Sequence, residues 1–268
     1  MNVRVIRALV RRDLTVVLRA RAVLIPIVLL PLIFYVVLPA GFGVGFWFAA
    51  RLGGLKHLAD GLPPEVFKNL GEYLPVERPV AFTFVVMMAP LFLIVPLAVS
   101  SVIAADSIAG ERERKTLEAL LYTPATDGEL FTAKVLAAWI PAMSVAIGGF
   151  VLYSVVANAA AWPVMHRVFF PTPMWFALVF WLMPAVAAMG LAATVLVSSR
   201  VRTFQEAQQL GGLVVLPVIL LVAGQVTGAL FLHLGTVLLL GAVLWTLDAA
   251  LLWFGGRTFK RGELVSRL

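Results

Sequence analysis

Residues 80–105 read VAFTFVVMMAPLFLIVPLAVSSVIAA, a stretch that contains no charged side chain. An α-helix needs about 20 mainly apolar residues to cross a hydrocarbon core of about 30 Å, so this stretch is long enough to span a membrane. The sequence therefore predicts a set of membrane spans of this kind. Five further stretches meet the same requirement, and they are 22–50, 134–158, 174–198, 210–231 and 234–256.

The composition of the 268-residue chain supports six spans, because 62% of its residues are hydrophobic and only 13% are charged. Soluble domains carry about 25% charged residues, so a water-soluble fold is excluded. A membrane β-barrel is built from alternating segments of about 10 residues, whereas residues 214–222 read VVLPVILLV without alternation. We predict an all-α integral membrane protein whose transmembrane domain covers residues 22–256.

The distribution of basic residues predicts the orientation of these spans. With both termini in the cytoplasm, 16 of the Lys and Arg residues fall on the inner side and 5 on the outer side. Positive charge favours the cytoplasmic side, so we predict that both termini, including the tail 257–268, are cytoplasmic. The net charge of +7 is then a topology signal and does not indicate a nucleic acid partner. We expect a multi-pass protein of the plasma or inner membrane.

Residues 1–21 form a basic amphipathic segment before the first span. On a helical wheel Arg4, Arg7 and Arg11 lie opposite a broad apolar arc. The segment is either an arginine-rich flank that only sets topology or a cytoplasmic elbow helix that lies in the membrane interface. Asp13 falls on the apolar arc, where an acid needs a partner, and a nearby arginine is expected to supply it. The arc consists of Val3, Ile6, Leu9, Val10, Leu14 and Val17.

The loop between the second and third spans, residues 106–134, reads DSIAGERERKTLEALLYTPATDGELFTAK and predicts a helix, a break and a second helix. Opposite charges four residues apart, such as Glu111 and Lys115, support the first helix. Pro124 ends it, and Thr126 with Glu129 forms a capping box that starts the second helix at Asp127. The charged helix is either a solvated surface or, because Leu117, Leu120 and Leu121 form an apolar stripe, a docking element for another protein.

No constellation in the sequence indicates catalysis. The chain has no cysteine, no HExxH zinc motif and no GxxxxGK[ST] phosphate loop. The three histidines, His57, His166 and His233, fall at or near the predicted outer surface. We therefore expect no catalytic residue, no metal ligand and no cofactor in this chain. Uphill transport would draw its energy from an ion gradient or from a partner.

Asp248 is the clearest ionisable residue inside a predicted span. Charged groups at membrane depth are costly and often mark ion or proton paths. Asp248 either forms a structural hydrogen bond between helices or takes part in transport, and the sequence is compatible with both roles. Two small-residue spacings, Gly41 with Gly45 and Gly224 with Gly228, permit close helix approach and are compatible with a dimer.

The 106–134 segment resembles the cytoplasmic loop of the permease subunits of type-2 ATP-binding-cassette (ABC) exporters. Six spans, both termini inside and an Arg-Asp-Leu sequence at residues 12–14 extend the resemblance loosely over the chain. The short connection between spans five and six departs from many relatives, which carry a re-entrant helix there. The matching elements of the loop are Ile108-Ala-Gly-Glu111-Arg-Glu113, Lys115-Thr116-Leu117-Glu118, Leu120-Leu121, Thr123-Pro124, Glu129-Leu130 and Lys134.

The resemblance implies a half-transporter that pairs with a second permease, most often a copy of itself, and with two cytoplasmic ATP-binding subunits that hold ATP and Mg. The first loop helix would be the coupling helix that docks on these subunits. A substrate path between the permeases would place a cytoplasmic gate near Gln205, Glu206, Gln208 and Gln209. The implied coupling residues are Glu111, Arg112, Glu113, Arg114, Thr116, Leu117, Glu118, Leu121 and Pro124.

Two other functions stay open at this point. A secondary carrier or channel driven by an ion gradient would use Asp248. A membrane scaffold without transport activity would only anchor a cytoplasmic partner. The sequence does not predict the transported substrate.

Overall fold

The computed structural model describes residues 2–61, 70–114, 125–198, 201 and 203–258. The described part is helical, and six of its helices, α2 and α4 to α8, are long and apolar enough to cross a membrane. The predicted all-α class and the number of spans are thus confirmed. The helices are α1 (Val3–Val17), α2 (Val23–Arg51), α3 (Leu55–Asp60), α4 (Arg78–Ala105), α5 (Asp127–Met165), α6 (Pro173–Ser198), α7 (Phe204–Val226) and α8 (Leu234–Thr258).

Helices α4 and α6 form the centre of the bundle. In the most apolar window of α4, 83% of the residues are buried inside the chain, and in that of α6 67% are buried. The corresponding share is 17% in each of α2, α7 and α8. These three helices are therefore peripheral, and they leave wide apolar faces for lipid or for another chain.

Aromatic side chains stabilise the middle of the bundle by donating hydrogen bonds to backbone carbonyls of α4. The Tyr153 hydroxyl donates to the Phe84 carbonyl at 2.6 Å, and the Trp175 indole donates to the Val85 carbonyl at 2.9 Å. Both carbonyls lie in a π-helical stretch of α4, Phe82–Met87, where the regular helical ladder is interrupted. A carbonyl without a partner is costly in a bilayer, so these donors complete the hydrogen bonding of α4.

Tyr35 of α2 makes a bond of the same kind. Its hydroxyl donates to the Phe92 carbonyl at 3.3 Å. Pro96 explains why that carbonyl is free, because proline has no N–H to donate to the residue four positions earlier. The Tyr35 ring lies against α5 at Gly149, where a Cβ atom would overlap the ring. Glycine at this position is therefore a packing requirement.

The two ends of the bundle differ in composition. One end carries α1, the residues following α4 and the starts of α5 and α7. This end is called here the charged end. At the opposite end, Arg167 pairs with Glu77 at 2.8 Å, and the Asn158 amide donates to the Phe170 carbonyl at 2.7 Å. Asn158 also accepts a hydrogen bond from the Phe169 N–H at 3.0 Å. His57, His166 and His233 all belong to this opposite end.

Helix α5 is longer than the third predicted span. It starts at Asp127 and continues without a break for 39 residues, so the second loop helix and the span are a single helix. The capping box is confirmed, since the Glu129 N–H donates to the Thr126 hydroxyl at 3.3 Å and the Thr126 N–H donates to the Glu129 carboxylate at 3.0 Å. At 1.5 Å per residue the helix is about 58 Å long, well beyond the membrane core.

Helix α7 begins at Phe204 and ends at Val226, so residues 227–233 connect it to α8. Gly228 lies in this connection with φ of +75°, a conformation that favours glycine. The Leu230 N–H donates to the Gly224 carbonyl at 2.9 Å and closes the end of the helix. Within this chain, Gly224 and Gly228 therefore take part in ending the helix.

Candidate functional site

The residues that follow α4 continue its direction into the charged end. A π-helical turn, Asp106–Gly110, leads into a helical turn, Glu111–Glu113. Of the predicted coupling residues, Glu111, Glu113 and Arg114 lie in the described part with their side chains, and Arg112 lies there with its backbone. The remaining ones, Thr116, Leu117, Glu118, Leu121 and Pro124, lie outside the described residues.

Lys134 is the centre of a buried charge cluster. Its side chain is 4% exposed, and its ammonium nitrogen lies 2.8 Å from the Glu111 carboxylate. It also donates to the Ser107 carbonyl at 2.5 Å and lies 4.0 Å from the Asp13 carboxylate. One lysine of α5 therefore binds both the segment after α4 and helix α1.

Arg12 extends this cluster to the surface. Its guanidinium lies 3.6 Å from Glu111 and 3.9 Å from Asp13, while its own side chain is 40% exposed. The expected arginine partner of Asp13 is thus present, and Lys134 is a second partner from another helix. Burial raises the pKa of Asp13 above its ordinary value, and the charge of Lys134 opposes this rise.

Asp106 and Arg114 form a second pair, which joins the two ends of this segment. The two guanidinium nitrogens of Arg114 lie 2.9 Å and 3.2 Å from the two carboxylate oxygens. This hydrogen bonding with Asp106 is the main reason that the pKa of Arg114 is raised further. Gly110 leaves room for the pair, because a Cβ atom there would lie 2.5 Å from Asp106 Oδ1.

Glu113 connects the segment to α7. Its carboxylate accepts a hydrogen bond from the Phe204 N–H at 3.1 Å. The start of α7 is capped as well by the Thr203 hydroxyl, which accepts from the Glu206 N–H at 3.2 Å. A carboxylate at a helix N-terminus satisfies a free N–H and is favoured by the helix dipole. Buried alanines reinforce the contact, namely Ala105, Ala109 and Ala207.

The predicted gate residues occupy the first turns of α7. Gln205, Glu206 and Gln209 are exposed, and Gln208 is half-buried. They lie on the helix that Glu113 caps, so the structure brings the predicted coupling and gate regions together through one hydrogen bond.

Asp248 lies apart from the charge cluster, within α8. Its side chain is fully buried, and neither carboxylate oxygen has a hydrogen-bond partner in the part of the chain that the structure describes. Helix α8 packs against α6. The structural alternative, a hydrogen bond between helices, is therefore not seen among the described residues.

Sequence reasoning did not assign the pairing of Asp13 with Lys134, nor the role of Asn2. The Asn2 N–H donates to the Glu129 carboxylate, so the capping box of α5 also holds the start of α1. A signal for the first pair was present. A lone acid on an apolar arc and a lone lysine at the start of an apolar run each require a partner of opposite charge.

Comparison with known proteins assigns the family. The family described as ABC-2 family transporter protein matches residues 7–238, which cover most of the chain. A comparison with curated proteins finds no match. The matched range includes the charge cluster and five of the six candidate spans in full. The chain is a multi-pass membrane protein that belongs to the ABC-2 family of transporter membrane proteins.

Proposed function

We propose that the chain is the permease subunit of an ATP-driven exporter, which works as a dimer with two ATP-binding subunits. The permeases of this family lack ATPase domains, so family membership implies an ATP-binding partner. We place the charged end in the cytoplasm, where those subunits are found. The division of basic residues, 16 to 5, supports this orientation.

The observation that carries the proposal is the ion pair between Lys134 and Glu111 at 2.8 Å. The segment after α4 is the predicted docking element for the ATPase. It continues α4 directly, joins α5 and α1 through Lys134, and joins α7 through Glu113. A displacement of this segment by nucleotide-driven closure of the partner would therefore reach three spans and α1 together.

The substrate path is proposed to run between two permeases, along α4 and α7. Helix α7 is peripheral and exposes one apolar side, which suits a position next to a second chain. Gln205, Glu206 and Gln209 are exposed at its charged end and would form the cytoplasmic gate. The described walls around α7 are almost entirely apolar, which favours a hydrophobic or amphipathic cargo.

Composition of the complex is the first test. The tagged chain is extracted from native membranes in mild detergent, weighed by native mass spectrometry and assayed for ATPase activity. We expect two permeases with two ATP-binding subunits. Repeated recovery of the chain alone, without ATPase activity, would contradict the proposal.

The docking element is tested by Glu113→Gln with Leu117→Ala. This double variant should insert normally and uncouple ATP hydrolysis from transport. The matched control is Glu77→Gln with Val76→Ala, which removes an acid and trims an aliphatic residue at the opposite end and should leave coupling unchanged. Unchanged coupling in the first variant would remove the case for docking through this segment.

A carrier driven by an ion gradient is the second candidate, and the burial of Asp248 without a partner among the described residues is what favours it. Membrane-embedded carboxylates of this kind occur in proton relays. Asp248→Asn separates the two functions. Full ATP-dependent transport by this variant supports the exporter, whereas loss of transport that depends on a proton gradient supports the carrier.

A further inference from the structure

Helix α1 presents a row of arginines on the side that faces away from the bundle. Arg4, Arg7 and Arg11 are exposed, whereas Asp13 and Val17 on the other side of the helix are buried. The exposed side is called here the arginine face. Its residues line a shallow, open concavity, and they are Val3, Arg4, Arg7, Ala8, Arg11, Arg12 and Thr15.

The arginine face lacks acidic partners of its own. Asp13 is the only acid in α1, and it is directed to Lys134 on the buried side. Among the described residues no ion pair involves Arg4, Arg7 or Arg11, whereas Arg12 at the margin pairs with Glu111. Three guanidinium groups on successive turns therefore form a surface of strong positive potential.

The position of α1 places this surface at the edge of the membrane. Lys134 is the last charged residue of α5 before its long apolar stretch, so it marks where the apolar part of the bundle ends. Asp13 lies 4.0 Å from Lys134, which puts α1 at that same level. Helix α2 begins its span at Val23, only a few residues after α1 ends.

Exposed aliphatic residues accompany the arginines. Leu18 is 67% exposed and lies on the same side of the helix as Arg7 and Arg11, and Val3 is 69% exposed at its margin. A surface in the headgroup region gains from both kinds of side chain, because aliphatic groups enter the acyl boundary while guanidinium groups reach the phosphates.

We propose that the arginine face binds the phosphate groups of anionic phospholipids, such as phosphatidylglycerol, in the leaflet at the charged end. The planar guanidinium donates paired hydrogen bonds that match phosphate oxygens. The choice of a lipid over a soluble anion rests on the membrane level of α1 and on the exposed Leu18 and Val3. This site requires only that the chain spans a bilayer. The proposal applies to whichever leaflet lies at the charged end.

Arg12 gives the site a route to the rest of the molecule. It lines the same concavity and lies 3.6 Å from Glu111 in the charge cluster. A headgroup phosphate on the arginine face would thus lie next to a residue that contacts the segment after α4. Lipid binding is tested separately from transport, so its outcome does not depend on the proposed exporter function.

The test measures lipid selectivity of the purified full chain by native mass spectrometry, after equilibration with equal amounts of phosphatidylglycerol and phosphatidylcholine. The variant is Arg7→Gln with Arg11→Gln. The control is Arg51→Gln with Lys56→Gln, which removes the same charge from exposed positions at the opposite end. We expect the wild type to retain phosphatidylglycerol preferentially, the variant to lose about tenfold in this preference, and the control to match the wild type.

Three outcomes would overturn the site. They are equal retention of the two lipids by the wild type, an unchanged preference in the Arg7 and Arg11 variant, and displacement of phosphatidylglycerol by millimolar inorganic phosphate. The last result would assign the face to a soluble phosphate compound. Gel filtration verifies that each variant is monodisperse. Arg7→Lys with Arg11→Lys keeps the charge without the paired hydrogen bonds, so its preference is expected to lie between those of the wild type and the glutamine variant.

Discussion

The middle of the bundle and its charged end are held together by different forces. In the middle, Tyr153, Trp175 and Tyr35 donate to carbonyls of α4 inside an aromatic core. At the charged end, Lys134 and Arg12 bind carboxylates from separate segments. Neutral hydrogen bonds in an apolar core are insensitive to pH, whereas the carboxylates of ion pairs titrate. The charged end is therefore the part of the molecule whose contribution to stability depends on pH.

Loss of Lys134 should have the largest effect. Lys134→Met leaves the buried Glu111 and Asp13 with only the 40% exposed Arg12 as a cation, and breaking a buried pair in this way costs about 3–5 kcal/mol. We expect a fall of about 10 °C in the melting temperature in detergent, measured by intrinsic fluorescence.

The control for Lys134 is Arg167→Met, which breaks an ion pair at the opposite end. The Arg167 side chain is 50% exposed, and the buried Glu77 keeps the Leu74 N–H as a donor, so we expect a smaller loss of about 1–2 kcal/mol. Adding Glu111→Gln and Asp13→Asn to Lys134→Met should restore much of the stability. Equal losses for the two single variants would mean that burial does not distinguish the two ends.

The second effect concerns packing in the middle. Gly149→Ala places a Cβ atom into the Tyr35 ring, and such overpacking costs about 1–3 kcal/mol. Gly148 is the matched control, because a Cβ atom at this neighbouring residue of the same helix meets nothing within 4 Å. Thermal unfolding of both variants should show a loss for Gly149→Ala alone. Similar melting temperatures would disprove the close contact with Tyr35.

A single hydrogen bond gives the third effect. Tyr153→Phe keeps the ring and removes the hydroxyl that donates to the Phe84 carbonyl at 2.6 Å. The free carbonyl should cost about 1–2 kcal/mol, with no change when the salt concentration is raised. The loss in Lys134→Met should also change little with salt, because a buried ion pair is screened weakly. The loss in Arg167→Met should shrink as salt is raised, because its guanidinium is half exposed. Parallel salt series on Tyr153→Phe, Lys134→Met and Arg167→Met compare these kinds of stabilisation directly.

The smallest effect is a pH dependence at Asp13. Burial is the main cause that raises the pKa of Asp13 in the folded state. The positive charges of Lys134 and Arg12 lower this pKa, and the negative charges of Glu111 and Asp106 raise it. The folded state then holds a proton that the unfolded state has released, so stability falls as pH rises from the unfolded pKa through the folded pKa. Melting curves of wild type and Asp13→Asn should agree at acidic pH and diverge toward neutral pH, with the variant the more stable. Curves that stay parallel would show that Asp13 is not the titrating group.

The fold was largely predictable, because long apolar runs and a capping box are local properties of the sequence. Thr126 and Glu129 are three residues apart, so their pairing follows from helix geometry alone. The end of α7 was less accessible to prediction. Residues 227–231 are apolar enough to belong to a span, yet Gly228 adopts a positive φ and the helix has already ended.

The charge cluster could be predicted only in its parts. Lys134 belonged to a recognised motif, and Asp13 was expected to need a partner, but 121 positions of sequence separate them. Their contact depends on how α1 packs against α5, which no local pattern encodes. The pairs expected within the loop helix, such as Glu111 with Lys115, include residues outside the described part. The partners described for Glu111 come from other helices.

The unbroken helix α5 has a mechanical consequence. One helix of 39 residues connects the capping box at Thr126 with the opposite end, where Asn158 is hydrogen-bonded to the Phe170 carbonyl. A rotation of about 5° around its midpoint would carry each tip by roughly 2.5 Å, for a rod of about 58 Å. A small swing on one side of the membrane is thus carried to the other side, and Pro141 inside the helix is the position at which the rod would bend.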